Sequence, residues 1–224
     1  MSEKNLVPAV QGTTIVIVGD FNPAIMHPLW FSNNNLISEE DAKAADTELV
    51  HKQVSKFRTK SVLIQVTIDR FLIQTEDPTM FLPLRDLALG TFSILEHTPL
   101  RAFGVNRYEL FHMRTLKEWH ALGDLYTPKT IWKEIMDGPG MKQVTIQGQR
   151  ANVKDARIEF TLQPIDMATF GVQLRLNEHY DVPTSENSQE TIAFFLSTLH
   201  GMWDGFESYW QSASTLILNA PAVK

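Results

Sequence analysis

The chain contains no cysteine. That absence removes disulfide frameworks, thiol nucleophiles, zinc ribbons and iron–sulfur ligation together, and it suits a reducing cytoplasm where no staple is needed. Basic residues are in deficit, 20 against 26 acidic ones in 224, for a formal charge of -6. A chain of this sign has no overall field to draw in nucleic acid or an anionic membrane, so neither is expected as a partner. Long apolar runs are missing as well. The most apolar windows, residues 13–18 and 81–95, are shorter or more interrupted than the roughly 20 apolar residues that a membrane span requires. The opening MSEKNLVPAVQG is polar and lacks the apolar core of a secretory signal, so a cytoplasmic protein is expected.

Recognisable catalytic spacings are absent too. There is no Gly-X-Ser-X-Gly elbow, no Walker loop and no His-Glu-X-X-His. His112 and His120 lack a paired-ligand spacing, and the aromatic residues are not interleaved with basic ones as in a base-stacking surface. Catalytic residues, metal ligands and cofactors are therefore not expected, and the balance leans away from an enzyme.

What is present is an ordinary globular composition, 43% hydrophobic with 11 Gly and 11 Pro. Residues 13–18 form a β-branched apolar run that stops at the turn Gly19-Asp-Phe-Asn-Pro23 and reads as a buried strand. Ser38 followed by Glu39, Glu40 and Asp41 is a helix start, predicting a helix over 39–46. Residues 62–75 alternate with period two and predict a strand, partnered by 49–58. Residues 81–96 repeat apolar positions every three or four and predict an amphipathic helix, which His97-Thr-Pro99 ends.

A further strand is predicted over 101–113. Two short helices follow at 116–125 and 130–136, anchored by Trp119 and Trp132 and stopped by Asp137-Gly-Pro-Gly140. Strand-like runs then occupy 143–147, 157–163 and 170–182. From Ile192 the residues Leu196, Leu199, Trp203, Phe206, Trp210, Ala213 and Ile217 mark one broad stripe on a helix of roughly 30 residues. Its first reading is a helix lying across the chain's own sheet, with Gly201 and Gly205 admitting close approach; the second is a partner surface.

The expected fold is a single α+β domain over 1–224. It comprises antiparallel sheet packed by a middle helix and a long C-terminal helix, because paired strand runs lack crossover helices. Residues 1–12 are expected to be loose, 13–113 to form the first half, and 141–219 to supply strands plus the C-terminal helix. The echo of Phe103-Gly-Val105 in Phe170-Gly-Val172 admits two pseudo-repeats. The alternative is a helix-grip arrangement, a curved sheet around the last helix.

Two surfaces are candidates for function. Along 170–182, Val172, Leu174, Leu176 and Val182 share one face while Gln173, Arg175, Asn177, His179 and Asp181 share the other. That row can floor a polar ligand site, joined by Arg107 and Glu109 if their strand lies alongside, or be the solvated face of an antiparallel sheet. The helix-grip alternative would instead place a hydrophobic ligand against the apolar face. The second candidate is an interface comprising Phe31, Asn33 and Asn34 of the Asn-rich loop with Trp203, Phe206 and Trp210 of the last helix.

Two resemblances bear on these readings. Gly19, Phe21, Asn22, Pro23 and His27 look like the phosphate-binding start of the nucleotidylyltransferases, where a helix N-terminus with imidazole donors stabilises the transferred phosphate. The spacing from Pro23 to His27 is one residue short, Pro28 follows, and no Ser-Thr-X-X-Arg segment appears downstream. Phe21-Asn-Pro23, the stretch 62–95 and Phe103-Gly-Val-Asn106 resemble a sporadically distributed group of uncharacterised bacterial proteins. That resemblance covers about two thirds of the chain and implies no activity, only a bacterial cytoplasmic protein of an operon-encoded system, a defence system being one setting. The expected function is a non-catalytic binding or assembly subunit with a protein partner or self-association. The alternatives are a small-ligand-binding helix-grip module and, remotely, a nucleotidylyltransferase.

Overall fold

Segments with a two-residue period pair into one sheet, and segments with a three-to-four-residue period cover one of its faces. The computed structural model describes residues 6–151, 153, 155–165 and 169–219. In chain order these form β1 (Val10–Gly19), α1 (Pro28–Asn33), α2 (Glu39–Ala44), β2 (Asp46–Val50), β3 (Val54–Arg58), β4 (Leu63–Thr67) and β5 (Arg70–Thr75). Then come α3 (Phe81–Ile94), β6 (Leu100–His112), α4 (Leu116–Tyr126), β7 (Val144–Gln149), β8 (Arg157–Ile165), β9 (Gly171–Asp181) and α5 (Ser188–Leu218). The sheet has nine strands in the order β2-β3-β4-β5-β1-β6-β9-β8-β7, every pairing antiparallel.

This is the α+β architecture expected, with one connectivity used twice. In the first half β1 is innermost, β5 lies beside it, β4, β3 and β2 run outward, and α3 follows; in the second β6 is innermost, β9, β8 and β7 run outward, and α5 follows. The two innermost strands pair at the centre, Thr14 opposite Asn106. The Phe-Gly-Val echo is not the mark of this repeat. One copy lies on β6 and the other at the start of its neighbour β9, whereas the topological counterpart of β6 is β1.

Local chemistry accounts for the boundaries. Ser38 Oγ accepts from Asp41 N at 2.9 Å to start α2, Thr115 caps α4 through Glu118 N, and Asn187 caps α5 through Gln189 N. α2 ends at Ala44, earlier than the predicted 46, because Asp46 already pairs with Arg58 in the β2–β3 hairpin. The predicted strand 62–75 is two strands. Ile68 and Asp69 form the turn between them, held by Thr67 Oγ1 donating to Asp69 at 2.7 Å and by Phe21 N and Gly19 N donating to the Ile68 and Asp69 carbonyls. The buried positions switch from even (Ile64, Val66) to odd (Phe71, Ile73) across this turn, a phase change that reading 62–75 as one strand passes over. β1 starts at Val10, inside the stretch predicted to be loose, because Gln11 and Gly12 pair with Glu109 and Tyr108; residues 1–5 of that stretch lie outside the described residues.

The predicted helix 130–136 is only a 3-10 turn, Trp132–Glu134, and Trp132 is exposed rather than an anchor. Trp119 does anchor, its Nε1 donating to the Gly171 carbonyl at 3.1 Å.

The core fills the space between the sheet and the pair α3 and α5. Ile15, Ile17, Ile64, Val66, Phe71, Ile73, Phe103 and Val105 point from the central strands and are all buried. Leu84, Ala88 and Phe92 of α3, with Phe195, Leu199, Trp203, Phe206 and Trp210 of α5, meet them. Phe195 packs edge-on to both Phe92 (5.4 Å) and Phe103 (5.1 Å), so the two helices and the sheet share one aromatic cluster. The long C-terminal helix thus lies on the sheet as the helix-grip alternative required, but α3 shares that face. Among the described residues no helix is long and apolar enough to cross a membrane.

Candidate functional site

Because α3 and α5 occupy one face, the other face of the central strands is left open among the described residues. A groove of about 820 Å³ runs across β5, β1, β6, β9 and β8 on that side. Register decides its floor. Asn106 stands opposite both Thr14 and Asn177, and Asn177 opposite Glu159, so these side chains form one row across four strands. Asn177 Nδ2 donates to Asn106 Oδ1 at 2.7 Å. In the next row Tyr108, Arg175, Thr161 and Thr145 are successive neighbours, with the Thr145 and Thr161 hydroxyls 3.2 Å apart. Beyond it Gln163 Nε2 donates to Gln173 Oε1 at 2.8 Å. The floor is thus a cross-strand ladder of amides and hydroxyls, each offering further donors or acceptors to the groove.

Tyr108 gives the floor its aromatic element. Its ring lies directly over Gly12, where a Cβ would stand 2.4 Å from the ring, so glycine is what lets the ring lie down on β1. The hydroxyl then reaches Glu76 and donates to Oε1 at 2.5 Å. Burial first, and the Glu76 carboxylate second, push the Tyr108 phenol above its ordinary range, so it stays a donor at physiological pH.

Of the predicted row, Gln173, Arg175 and Asn177 line the groove. His179 and Asp181 share the open face but form a separate pair beyond the groove, His179 Nε2 lying 3.0 Å from Asp181 Oδ1 and Arg157 Nη2 donating to the same oxygen at 2.9 Å. The His179 hydrogen bond chiefly, with Arg157 alongside, holds the Asp181 carboxyl below the usual range.

Arg107 and Glu109 do not join the row. Their strand lies alongside β9 as required, but Arg107 faces Leu176 and Thr13 on the helix-covered side. Arg107 and Glu109 share the odd parity of Phe103, Val105 and Phe111, so the alternation of β6 itself sets them on the apolar, covered face, and the register with β9 agrees. Arg107 is buried with its guanidinium 3.8 Å from the Phe81 ring and ion-paired to Glu207 of α5. Burial lowers its pKa, opposed by Glu207. Glu109 accepts from Trp210 Nε1 at 2.7 Å, and burial holds its carboxyl above the usual range.

A second buried pair lies nearby. Glu178 accepts from Arg150 Nη1 at 2.8 and 2.9 Å and from the Tyr180 hydroxyl at 2.6 Å, while Arg150 Nη2 donates to the Gly205 carbonyl. A Cβ at Gly205 would stand 3.2 Å from that nitrogen, so this glycine admits an arginine; Gly201 has no neighbour that a Cβ would meet. Both ionic clusters fasten α5 to the sheet rather than line a site.

The predicted interface is corrected in the same way. Trp203, Phe206 and Trp210 are buried under α5, and Phe31 is buried against Phe57 at 5.6 Å. The apolar stripe marks the chain's own core. Asn33 is exposed, while Asn34 donates from Nδ2 to the Trp30 carbonyl at 2.8 Å and closes α1. His27 is the cap of the same helix, its Nδ1 accepting from Trp30 N at 3.3 Å, and Phe21 is buried against Phe71 and Phe92. The stretch resembling a nucleotidylyltransferase start is here a turn that closes an antiparallel strand. Among the described residues no three His, Asp or Glu side chains are grouped to hold a metal ion.

Sequence reasoning passed over Thr14, Tyr108 and Glu76, which complete the groove. The even parity of residues 101–113 and the glycine in β1 were the available signals. Neither a protein-family model nor a curated protein matches the chain.

Proposed function

We propose that this chain is a non-catalytic binding subunit that holds an extended polar segment of a protein partner in the groove on the open face of its sheet. The observation that carries the reading is the groove floor, in which Asn106, Asn177, Gln173 and Thr161 are pre-set by cross-strand contacts around Tyr108 and Arg175. Amide side chains locked in place offer peptide-like donors and acceptors at little further entropy cost, which is what recognition of a polar chain requires. Arg70 and Arg175 stand beside Glu76 and Glu159 in the lining, so the groove presents both signs and suits a polar segment rather than one of a single charge. A bacterial cytoplasmic multi-protein system, with defence as one setting, is the context the family resemblance supports.

The helix-grip alternative has less to support it. Its ligand would lie between α5 and the sheet, where Leu199, Phe206 and Trp210 are already buried against the strands. The test is site-specific photo-cross-linking in cells that make the protein naturally. A cross-linker at Arg175 is expected to give a discrete protein adduct, one at exposed Leu216 of α5 is not, and Asn177→Asp with Gln173→Glu should abolish the adduct while the circular dichroism stays native. Adducts from Leu216 alone, or from neither position, would refute the reading.

A further inference from the structure

On the covered side of the sheet, beyond the end of α5, the segment from α4 to β7 carries a knob and a hollow side by side. In the knob, Ile131, Trp132, Ile135 and Met136 are 66%, 43%, 70% and 50% exposed. Single exposed apolar residues are ordinary, but these four together leave on the order of 400 Å² bare, as much as the largest patch on many monomers. Beside them are two adjoining hollows of about 220 and 250 Å³ that share Lys129, Pro139, Gly140 and Met141. The first is walled by Trp119, Leu122 and Val172, and the second by Trp132 and Met136 themselves.

The knob is held rather than loose. Lys129 pairs with Asp124 at 2.7 Å, Lys133 N donates to the Lys129 carbonyl and Met136 N to the Trp132 carbonyl. Gly138, at φ 61°, makes the left-handed turn that brings the chain back to the hollow. The whole arm is tied down by Trp119 to Gly171 and by the Tyr126 hydroxyl to the Ile217 carbonyl at 2.9 Å.

We propose that this surface is a two-fold contact between two copies of the chain, each seating Ile131 and Ile135 in the other's hollow. Knob and hollow on one face are self-complementary, which is what an isologous interface needs. Charge permits it: over 116–142 the four lysines Lys117, Lys129, Lys133 and Lys142 balance Glu118, Asp124, Glu134 and Asp137, so the face meets itself without net repulsion although the chain carries -6. Size permits it too. Knob and hollow on both copies together bury on the order of 1,100 Å², which clears the roughly 1,000 Å² that a specific interface needs and places the contact at the small end of the range. The contact lies on the opposite side of the sheet from the groove and stands or falls independently of the binding reading.

Sedimentation equilibrium on the purified full-length protein across the micromolar range tests it, with wild type, Ile131→Asp/Ile135→Asp, and Ile68→Asp as an exposed apolar control in the β4–β5 turn. Wild type and the control are expected to form dimers and no larger species, and the knob variant to dissociate about 30-fold more readily or worse. Its far-UV circular dichroism should be unchanged, because both side chains already face solvent within one copy. The melting temperature should rise with concentration in wild type and not in the knob variant. A wild type that stays monomeric, even one that captures a different protein, overturns the proposal; so does a dimer indifferent to the knob substitutions, or assembly beyond two copies.

Discussion

Removing one member of the Arg150–Glu178 pair should be far worse than removing both. The Glu178 side chain is completely buried and that of Arg150 nearly so, with two charge-assisted hydrogen bonds between them, a third from Tyr180, and the Arg150 guanidinium 4.8 Å from the Tyr209 ring. Arg150→Met keeps most of the side-chain volume but leaves the carboxylate facing only a phenol. Stranding a buried charge in this way costs about 3–5 kcal/mol. For a chain of this length each kcal/mol moves the melting temperature by roughly 2–4 °C, so a fall on the order of 10 °C is expected. Glu178→Leu strands the guanidinium instead and should cost a similar amount. In Arg150→Met/Glu178→Leu no charge is stranded, and the chief loss is the acceptor for the Tyr180 hydroxyl, about 1–3 kcal/mol. Urea denaturation followed by tryptophan fluorescence reads all four corners of the cycle, since Trp203 and Trp210 lie buried under the same helix. Additive costs in the double variant, or single variants within about 1 kcal/mol of wild type, would refute the assignment of this pair as a desolvated clamp between the β7–β8 hairpin and α5.

Glu109 gives a pH signature. Burial lifts its carboxyl above the ordinary 4.5, so the folded chain holds this proton more tightly than the unfolded chain does, and its contribution to stability is present at low pH and lost as pH rises from about 4.5 through the raised value. Glu109→Gln keeps the acceptor for Trp210 and should therefore gain stability relative to wild type as pH rises from about 4 to 7 in paired denaturation curves; a constant difference contradicts the burial argument. Gly12→Ala should cost about 1–2 kcal/mol by driving Tyr108 off β1 and away from Glu76, and should be neutral or better in a Tyr108→Ala background. Equal costs in both backgrounds would mean that the ring is not what Gly12 accommodates. Trp210→Asp, the natural substitution for disrupting a partner surface, should instead unfold the chain at a cost of at least about 3–5 kcal/mol, because the indole is buried and bonded to Glu109. A soluble variant with native circular dichroism would show that the stripe is a surface after all.

Where an element repeated its period for long enough, its type was legible from residues alone. α3, α5, β6 and β9 appear within a few residues of their predicted limits because each carries an uninterrupted two- or three-to-four-residue period and a readable stop. The misses have separate causes. At the β4–β5 turn the apolar period shifts from even to odd positions around Asp69-Arg70, a local mark that was read through, and Trp132 was read as an anchor from its identity although it is exposed. At the site, the alternation in β9 correctly placed Gln173, Arg175 and Asn177 on one face, while Arg107 and Glu109 were assigned to that face although they share the odd parity of the apolar Phe103, Val105 and Phe111 in their own strand.

The sequence by itself determined that this is an antiparallel α+β chain with a long, aromatic-striped final helix, and that one face of β9 is polar. These are consequences of side-chain period, which is local. Which face the helices cover, and hence whether a charged residue ends as a buried clamp or as part of a groove, depends on register across nine strands and on two helices lying on one side of the sheet. Those are pairings between residues some 70 to 100 positions apart, such as Asn106 with Asn177 and Arg107 with Glu207, and no local pattern encodes them. Only the assembled sheet decided between the two readings of the last helix in favour of the core, and gathered Ile131, Trp132, Ile135 and Met136 into an exposed cluster between α4 and β7.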